Sequence, residues 1–214
     1  RVEGALERAL AALARERVVE PAVSERVAAP AEIHTITETM DVTQSKLAIG
    51  YRTSSEDSPA LLLANLIFGG YSNSKLFLNV REKLSLCYFA SSSYHRSKGI
   101  ITVSSGIEAK NYDVACREIA AQLKAVQDGA FEPWELEGAR SCILSSLRSR
   151  EDSAGRLEEY YLGQAATGLW EGTDELIEQL KAVTPERVAA AAQTIQPDTI
   201  YFLTGKEETE HDVE

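Results

Sequence analysis

The sequence predicts an α+β fold, a two-layer domain whose mainly antiparallel sheet carries helices packed on one face. Two observations predict it. Strand-like alternation comes in pairs, over residues 33–52 and again over 86–107, and one last strand-like run, "DTIYFLTG", follows a long helical stretch. The strands are too few and too paired for a doubly wound parallel sheet. Helices therefore gather on one face, and the last strand returns across them to join the sheet.

Each element has its own signal. Residues 1–16 read as a helix, because Val2, Leu6, Leu10 and Leu13 recur at three- and four-residue spacing. "VVEPAVSERVAAPAE" carries two prolines and mixed polarity and reads as a linker. Residues 1–32 are thus expected to be a terminal helix and linker left from a preceding domain, 33–205 a single α+β domain, and 206–214 a charged tail. "IHTITETM" and "SKLAIGYR" alternate as strands, with a bend or bulge at Asp41–Gln44. "SPALLLANLIFGG" is a buried helix: Ser58 can cap it, Pro59 fits its first turn, and Gly69 or Gly70 can take the left-handed position that ends it. A second helix is expected over Ser74 to Leu84, capped by Ser72 and Asn73. Strands follow at 86–94 and 99–107, turning at Gly99. Then Tyr112, Cys116, Ile119, Leu123 and Val126 form one apolar stripe ended by Gly129. Pro133 opens a helix carrying Trp134, Leu136, Ile143, Leu144 and Leu147. Further helices cover 153–168 and 173–182, and Thr184–Pro185 opens an Ala-rich one.

Composition removes several function classes. The chain has 214 residues, 44% hydrophobic and 26% charged, enough to bury a real core. A formal net charge of −11 argues against nucleic acid as a partner, since a phosphate backbone needs clustered Lys and Arg. No apolar run approaches the roughly 20 residues of a membrane helix, so no membrane partner is expected. The N-terminal stretch lacks the apolar core of a signal peptide. Cys87, Cys116 and Cys142 are odd in number and far apart; they read as reduced, buried thiols, which points to the cytoplasm. His34, His95 and His211 show no ligand spacing, so no metal is expected in this chain.

Four stretches look familiar together: "FGGYSNSKLFLNVREKLSLCYFASSSY", "GIITVSSGIEAKN", "ELEGARSCILSSLRSREDS" and "VTPERVAAAAQTI". Over about residues 33–205 the chain resembles the C-terminal half of the pitrilysin/insulinase family of inverted-motif zinc metallopeptidases, which includes the mitochondrial processing peptidase. The most specific part is S-K-L-F-x-x-V-R-E-K-x-S-L-x-Y; the later helices match more by layout. The resemblance implies two homologous halves enclosing a peptide. One half bears H-x-x-E-H and zinc, and the facing half supplies an Arg and a Tyr seven residues apart. Arg81 and Tyr88 have that spacing, and no H-x-x-E-H occurs in this chain. By resemblance this is the substrate-binding, non-zinc half, inactive alone, with zinc in a complementary half of the same chain or a partner subunit. Arg81 and Tyr88 then contact the peptide, and Tyr88 is the catalytic group. The alternative is a non-catalytic homologue that binds peptides or scaffolds an assembly.

The chemistry of the two residues suits those roles. A phenol on a rigid ring can donate to a developing oxyanion, and a guanidinium offers five donors and stays charged. Plainer readings stand beside them. Arg81 precedes Glu82 and Lys83 and can belong to a solvated helix face. Tyr88 shares strand parity with Leu86 and Ala90 and can be core. The Gly69–Gly70 pair reads as a helix C-cap and "SSGIE" as structural. Glu135, Glu137, Glu151, Asp152, Glu158 and Glu159 fit solvated helix faces, or an acidic chamber favouring basic peptides.

Overall fold

Alternation along Ser45–Thr53 decides how the sheet is used. The computed structural model describes residues 2–14 and 26–205. In β2 (Ser45–Thr53), Ser45, Leu47, Ile49, Tyr51 and Thr53 are buried, and the residues between them are not. One face therefore meets the core and the other meets solvent. The remaining strands are β1 (His34–Met40), β3 (Cys87–His95), β4 (Ile100–Ile107) and β5 (Ile195–Gly205), in the order β1-β5-β2-β4-β3. All pairs are antiparallel except β1 with β5. The last strand does return across the helices, and it lies between β1 and β2. That position keeps the two first strands from pairing with each other.

The helices are α1 (Val2–Ala11), α2 (Ser58–Asn65), α3 (Tyr112–Gln127), α4 (Pro133–Glu151), α5 (Ala154–Thr167), α6 (Thr173–Lys181) and α7 (Pro185–Gln193). The core lies between the helices from α2 onward and the buried sheet face: Leu47, Ile49, Phe68, Ile101, Ile119 and Leu180 are each almost fully enclosed. Each such side chain contributes about 1.5–3 kcal/mol by leaving water. On the opposite face, register places Ala48, Gly50, Thr102, Ser104, Ser91 and Ser93 side by side. It is a surface of small residues that, among the described residues, no helix buries.

Helix ends follow their chemistry, with two departures. Thr184 caps α7 by accepting from the Arg187 N–H at 3.4 Å, and Gly99, Gly129 and Gly168 take the left-handed conformation at their turns. The cap of α2 is Asp57, not Ser58. Its carboxylate accepts from the Ala60 N–H at 3.2 Å and holds the Arg187 guanidinium at 3.0 Å, so one residue ties α2 to α7. Ser58 lies buried one position inside the helix. The second departure is exposure. Trp134 is 53% exposed, Cys142 is exposed, and Cys87 and Cys116 are only half-buried. Burial still pushes both of the latter thiols up. No α1 residue is buried, and much of the expected linker and the tail from residue 206 lie outside the described residues. Among the described residues no helix is long and apolar enough to cross a membrane.

Candidate functional site

The segment from α2 to β3 is built from two rare helical turns. After Asn65 the helix widens into a π-helical turn at Leu66–Gly70, and a second π-helical segment runs over Leu76–Lys83. Such wide turns are uncommon and cluster at functional sites. The glycine pair is not the left-handed cap the sequence suggests; neither residue has positive φ. The requirement is space. A Cβ on Gly69 would stand 2.6 Å from Leu76 Cδ1 and 2.9 Å from the Ser92 nitrogen, and one on Gly70 would stand 2.8 Å from Asn65 Nδ2. Gly69 lets the helix end lie directly on β3, and Gly70 lets the wide turn close on Asn65.

The connecting turn is anchored from below. Lys75 and Glu135 form an ion pair at 3.1 Å with both side chains about nine-tenths buried. Glu135 also accepts from the Glu132 N–H at 2.8 Å, closing the cap of α4, and the Tyr71 hydroxyl donates to the Glu135 carbonyl at 3.3 Å. Glu135 therefore does not belong to a solvated face, as the sequence suggests, whereas Glu137, Glu151, Asp152, Glu158 and Glu159 are exposed. Ser72 and Asn73 are exposed as well. It is the buried Ser74 whose hydroxyl accepts from the Phe77 N–H, at 3.4 Å.

Arg81 and Tyr88 come together at the end of this segment. Ser85, at φ 52°, turns the chain out of the helix. Arg81 donates from Nε to the Tyr88 carbonyl at 3.0 Å, its guanidinium lies 4.6 Å above the Phe77 ring, and Nη1 pairs with Glu82 at 3.2 Å. So Arg81 does sit on a partly solvated helix face and is also tied to Tyr88. Pairing of β3 with β4 slips between Cys87 and Phe89: Cys87 faces Ile107, Phe89 faces Gly106, and Tyr88 is the extra residue of a bulge. The bulge breaks the parity that would bury Tyr88 with Ala90. Tyr88 is 64% exposed, whereas Ala90 is buried. Bulges re-aim side chains in this way beside active sites.

Tyr88 overlooks a concavity of ≈ 1330 Å³ framed by the β1–β2 turn, the residues joining β4 to α3, and the end of β5. Asp41, Glu108, Lys110 and Asp113 line it. Lys110 pairs with Glu108 at 2.7 Å, and that hydrogen bond, with the carboxylate's charge, raises the lysine. None of these four stood out in the sequence, where each is an ordinary polar turn residue. His34 and His95 lie on the two opposite edge strands, and His211 lies outside the described residues. Among the described residues no group of three His, Cys, Asp or Glu could hold a metal ion.

Comparison with known proteins adds a consistent set of likenesses. The family model described as the peptidase M16 inactive domain matches residues 2–141. A Bacillus subtilis (strain 168) protein described as a probable inactive metalloprotease, YmfF, is 42% identical over 171 residues, which is 78% of this chain and 40% of that protein. A second B. subtilis protein, described as an uncharacterized zinc protease, YmxG, is 28% identical over 77% of this chain and 42% of its own length. A crystal structure of a conserved protein from Enterococcus faecalis V583 superposes with a TM-score of 0.81 at 32% identity, over 88% of this chain and 46% of that one. The chain thus spans less than half the length of these relatives.

Proposed function

Since this chain belongs to the family of the peptidase M16 inactive domain, we propose that it is the substrate-binding, zinc-free half of a peptide-hydrolysing chamber closed by a complementary half bearing H-x-x-E-H. The observation that carries this reading is the bulge at Tyr88. It holds a phenol clear of the protein at the mouth of a large concavity, with its own carbonyl fastened to Arg81. A residue kept only for packing has no need of that placement. In this reading the Tyr88 hydroxyl donates to the carbonyl oxygen of the peptide bond as charge develops there. Arg81 spends Nε on the Tyr88 carbonyl and Nη1 on Glu82, which leaves Nη2 for a substrate carbonyl or carboxylate. The complementary half lies in the same chain or a partner subunit and supplies the metal. The free thiols of Cys87, Cys116 and Cys142 favour a cytoplasmic setting.

The YmfF likeness favours a second reading, a non-catalytic homologue that binds peptides without cutting them. Both readings put a peptide at Tyr88, and one experiment tests that common ground. In the complete protein, Tyr88→benzoylphenylalanine should photo-cross-link a capped ten-residue Thr/Val peptide. The same replacement at Tyr161, exposed on α5, should not. Labelling at Tyr161 and none at Tyr88 would remove the proposed site. Hydrolysis of the same peptide then separates the readings. This chain alone should hold well under one equivalent of zinc and cleave nothing; a full equivalent, lost on changing His34 or His95, would contradict the assignment of the metal to the other half.

A further inference from the structure

We infer that the cleft between the end of α4 and the start of α5 binds a phosphoryl group, held by Arg150 and Arg156. The site is separate from the peptide site: its concavity, ≈ 450 Å³, shares no lining residue with the one at Tyr88. Ser146 and Arg150 line it from one face of α4, and Arg156, Glu159 and Tyr160 line it from one face of α5. Arg150 carries the inference. Arg52, Arg81, Arg96 and Arg140 are half-buried, and each pairs with a carboxylate. Arg150 is half-buried too, yet it forms no ion pair among the described residues, and its Nη1 is enclosed without an acceptor. A guanidinium drawn out of water is costly unless an anion compensates it. Beside it stands Arg156, exposed and likewise without a carboxylate partner among the described residues.

Arg150 is also held ready. Its Cζ lies 4.2 Å from the centre of the Tyr160 ring, and the Tyr160 hydroxyl donates to the Glu171 carbonyl at 3.1 Å, which fixes that ring. The Glu171 carboxylate does not compensate Arg150, because Arg96 holds it. Glu159 is the one acid lining the cleft; it is exposed and solvated. An anion bound here therefore costs the protein little further ordering. A phosphoryl group suits the donors. Two guanidinium forks and the Ser146 hydroxyl line the cleft from two helices, and a phosphoryl group offers them three oxygens in different directions, where a carboxylate offers two in one plane. A chain net charge of −11 disfavours long polyanions, so the ligand is compact. The cleft falls within the about 300–1,000 Å³ of small-molecule sites, which admits free phosphate and a small phosphate ester alike.

Titration calorimetry on the complete protein tests this with two probes, inorganic phosphate and glycerol 3-phosphate, at about 50 mM salt to limit screening. Either probe should bind saturably. Tighter binding of the ester identifies a phosphate ester as the ligand, and equal binding identifies free phosphate. Arg150→Ala and Arg156→Ala should each weaken binding about tenfold or more, since each removes a charge-assisted contact. Arg156 is exposed, so its loss leaves packing intact and decides the matter even if Arg150→Ala unfolds. Glu159→Gln should strengthen binding about threefold by removing a like charge from the rim. Arg148→Ala is the control: that residue lines a neighbouring concavity and should leave affinity within about twofold. Absence of saturable binding, undiminished affinity in Arg156→Ala, or an equal loss in Arg148→Ala would overturn the inference. The peptide cross-link at Tyr88 stands or falls separately, because no residue is common to the two sites.

Discussion

Lys75→Met destabilises the protein by about 3 kcal/mol, within the range for breaking a buried ion pair from one side. The size follows from what stays behind. Methionine fills nearly the same volume, so no cavity opens, but the Glu135 side chain loses its cation in a site where it is only 8% exposed. Its remaining partner there, the Glu132 N–H, compensates in part, which sets the expectation at the lower end of about 3–5 kcal/mol. Urea unfolding should show a lower midpoint at unchanged slope. Adding Glu135→Gln supplies the control. The neutral amide still accepts from the Glu132 N–H, so the double variant should recover more than half of the loss. A cost under about 1 kcal/mol for Lys75→Met would mean that the pair behaves as a solvated one. The same pair anchors the turn from which the Arg81 segment departs, so the double variant also tests whether charge or shape holds that segment.

Much of the architecture could be read from local chemistry. Thr184–Pro185, Gly99 and Gly129 act where their conformational preferences put them, and the strand-helix order sufficed for an α+β domain with one covered face. The cap misreadings at Ser58 and at Ser72–Asn73 are shifts of one or two residues, whereas Gly69, Glu135 and Tyr88 are misread because contacts distant in sequence set them. The Gly69–Gly70 pair looks like a cap because glycine after a helix usually is one; here β3, more than twenty residues on, and Leu76 leave no room for a side chain at Gly69, while the wide turn's own Asn65 and Leu66 leave none at Gly70. Glu135 sits among surface-like neighbours, and only the fold brings Lys75 to it. Strand parity would bury Tyr88, and a single extra residue reverses that outcome. Period-2 reasoning assumes an unbroken ladder, and nothing in "LSLCYFA" announces the slip. Arg81 and Tyr88 were legible only through resemblance, because the composition of their segment is ordinary.

In a complete protein that cleaves peptides, Tyr88→Phe lowers kcat and kcat/KM together, by about 10² to 10³. The change removes one hydroxyl and almost no volume. Tyr88 is 64% exposed, so the ring carries little of the core, and thermal stability should move by no more than about 0.5 kcal/mol. Its backbone carbonyl, which receives the Arg81 Nε–H, is untouched, so the bulge and the guanidinium stay in place. Only a donor to the transition state is lost, and peptide affinity should hold. Arg81→Ala makes a different forecast. It removes the clamp on the Tyr88 carbonyl and the free Nη2 end at once, so KM should rise along with a fall in kcat. Arg81→Lys keeps the charge but cannot make the forked contact, and it should resemble the alanine variant more than the wild type. Should Tyr88→Phe turn over within about twofold of wild type at unchanged stability, the phenol has no part in the chemical step. The bulge would then serve binding alone, as in the reading of a non-cutting homologue. The Arg81 variants separate that case as well: a pure binding role raises the peptide Kd in step with KM and leaves kcat where it was.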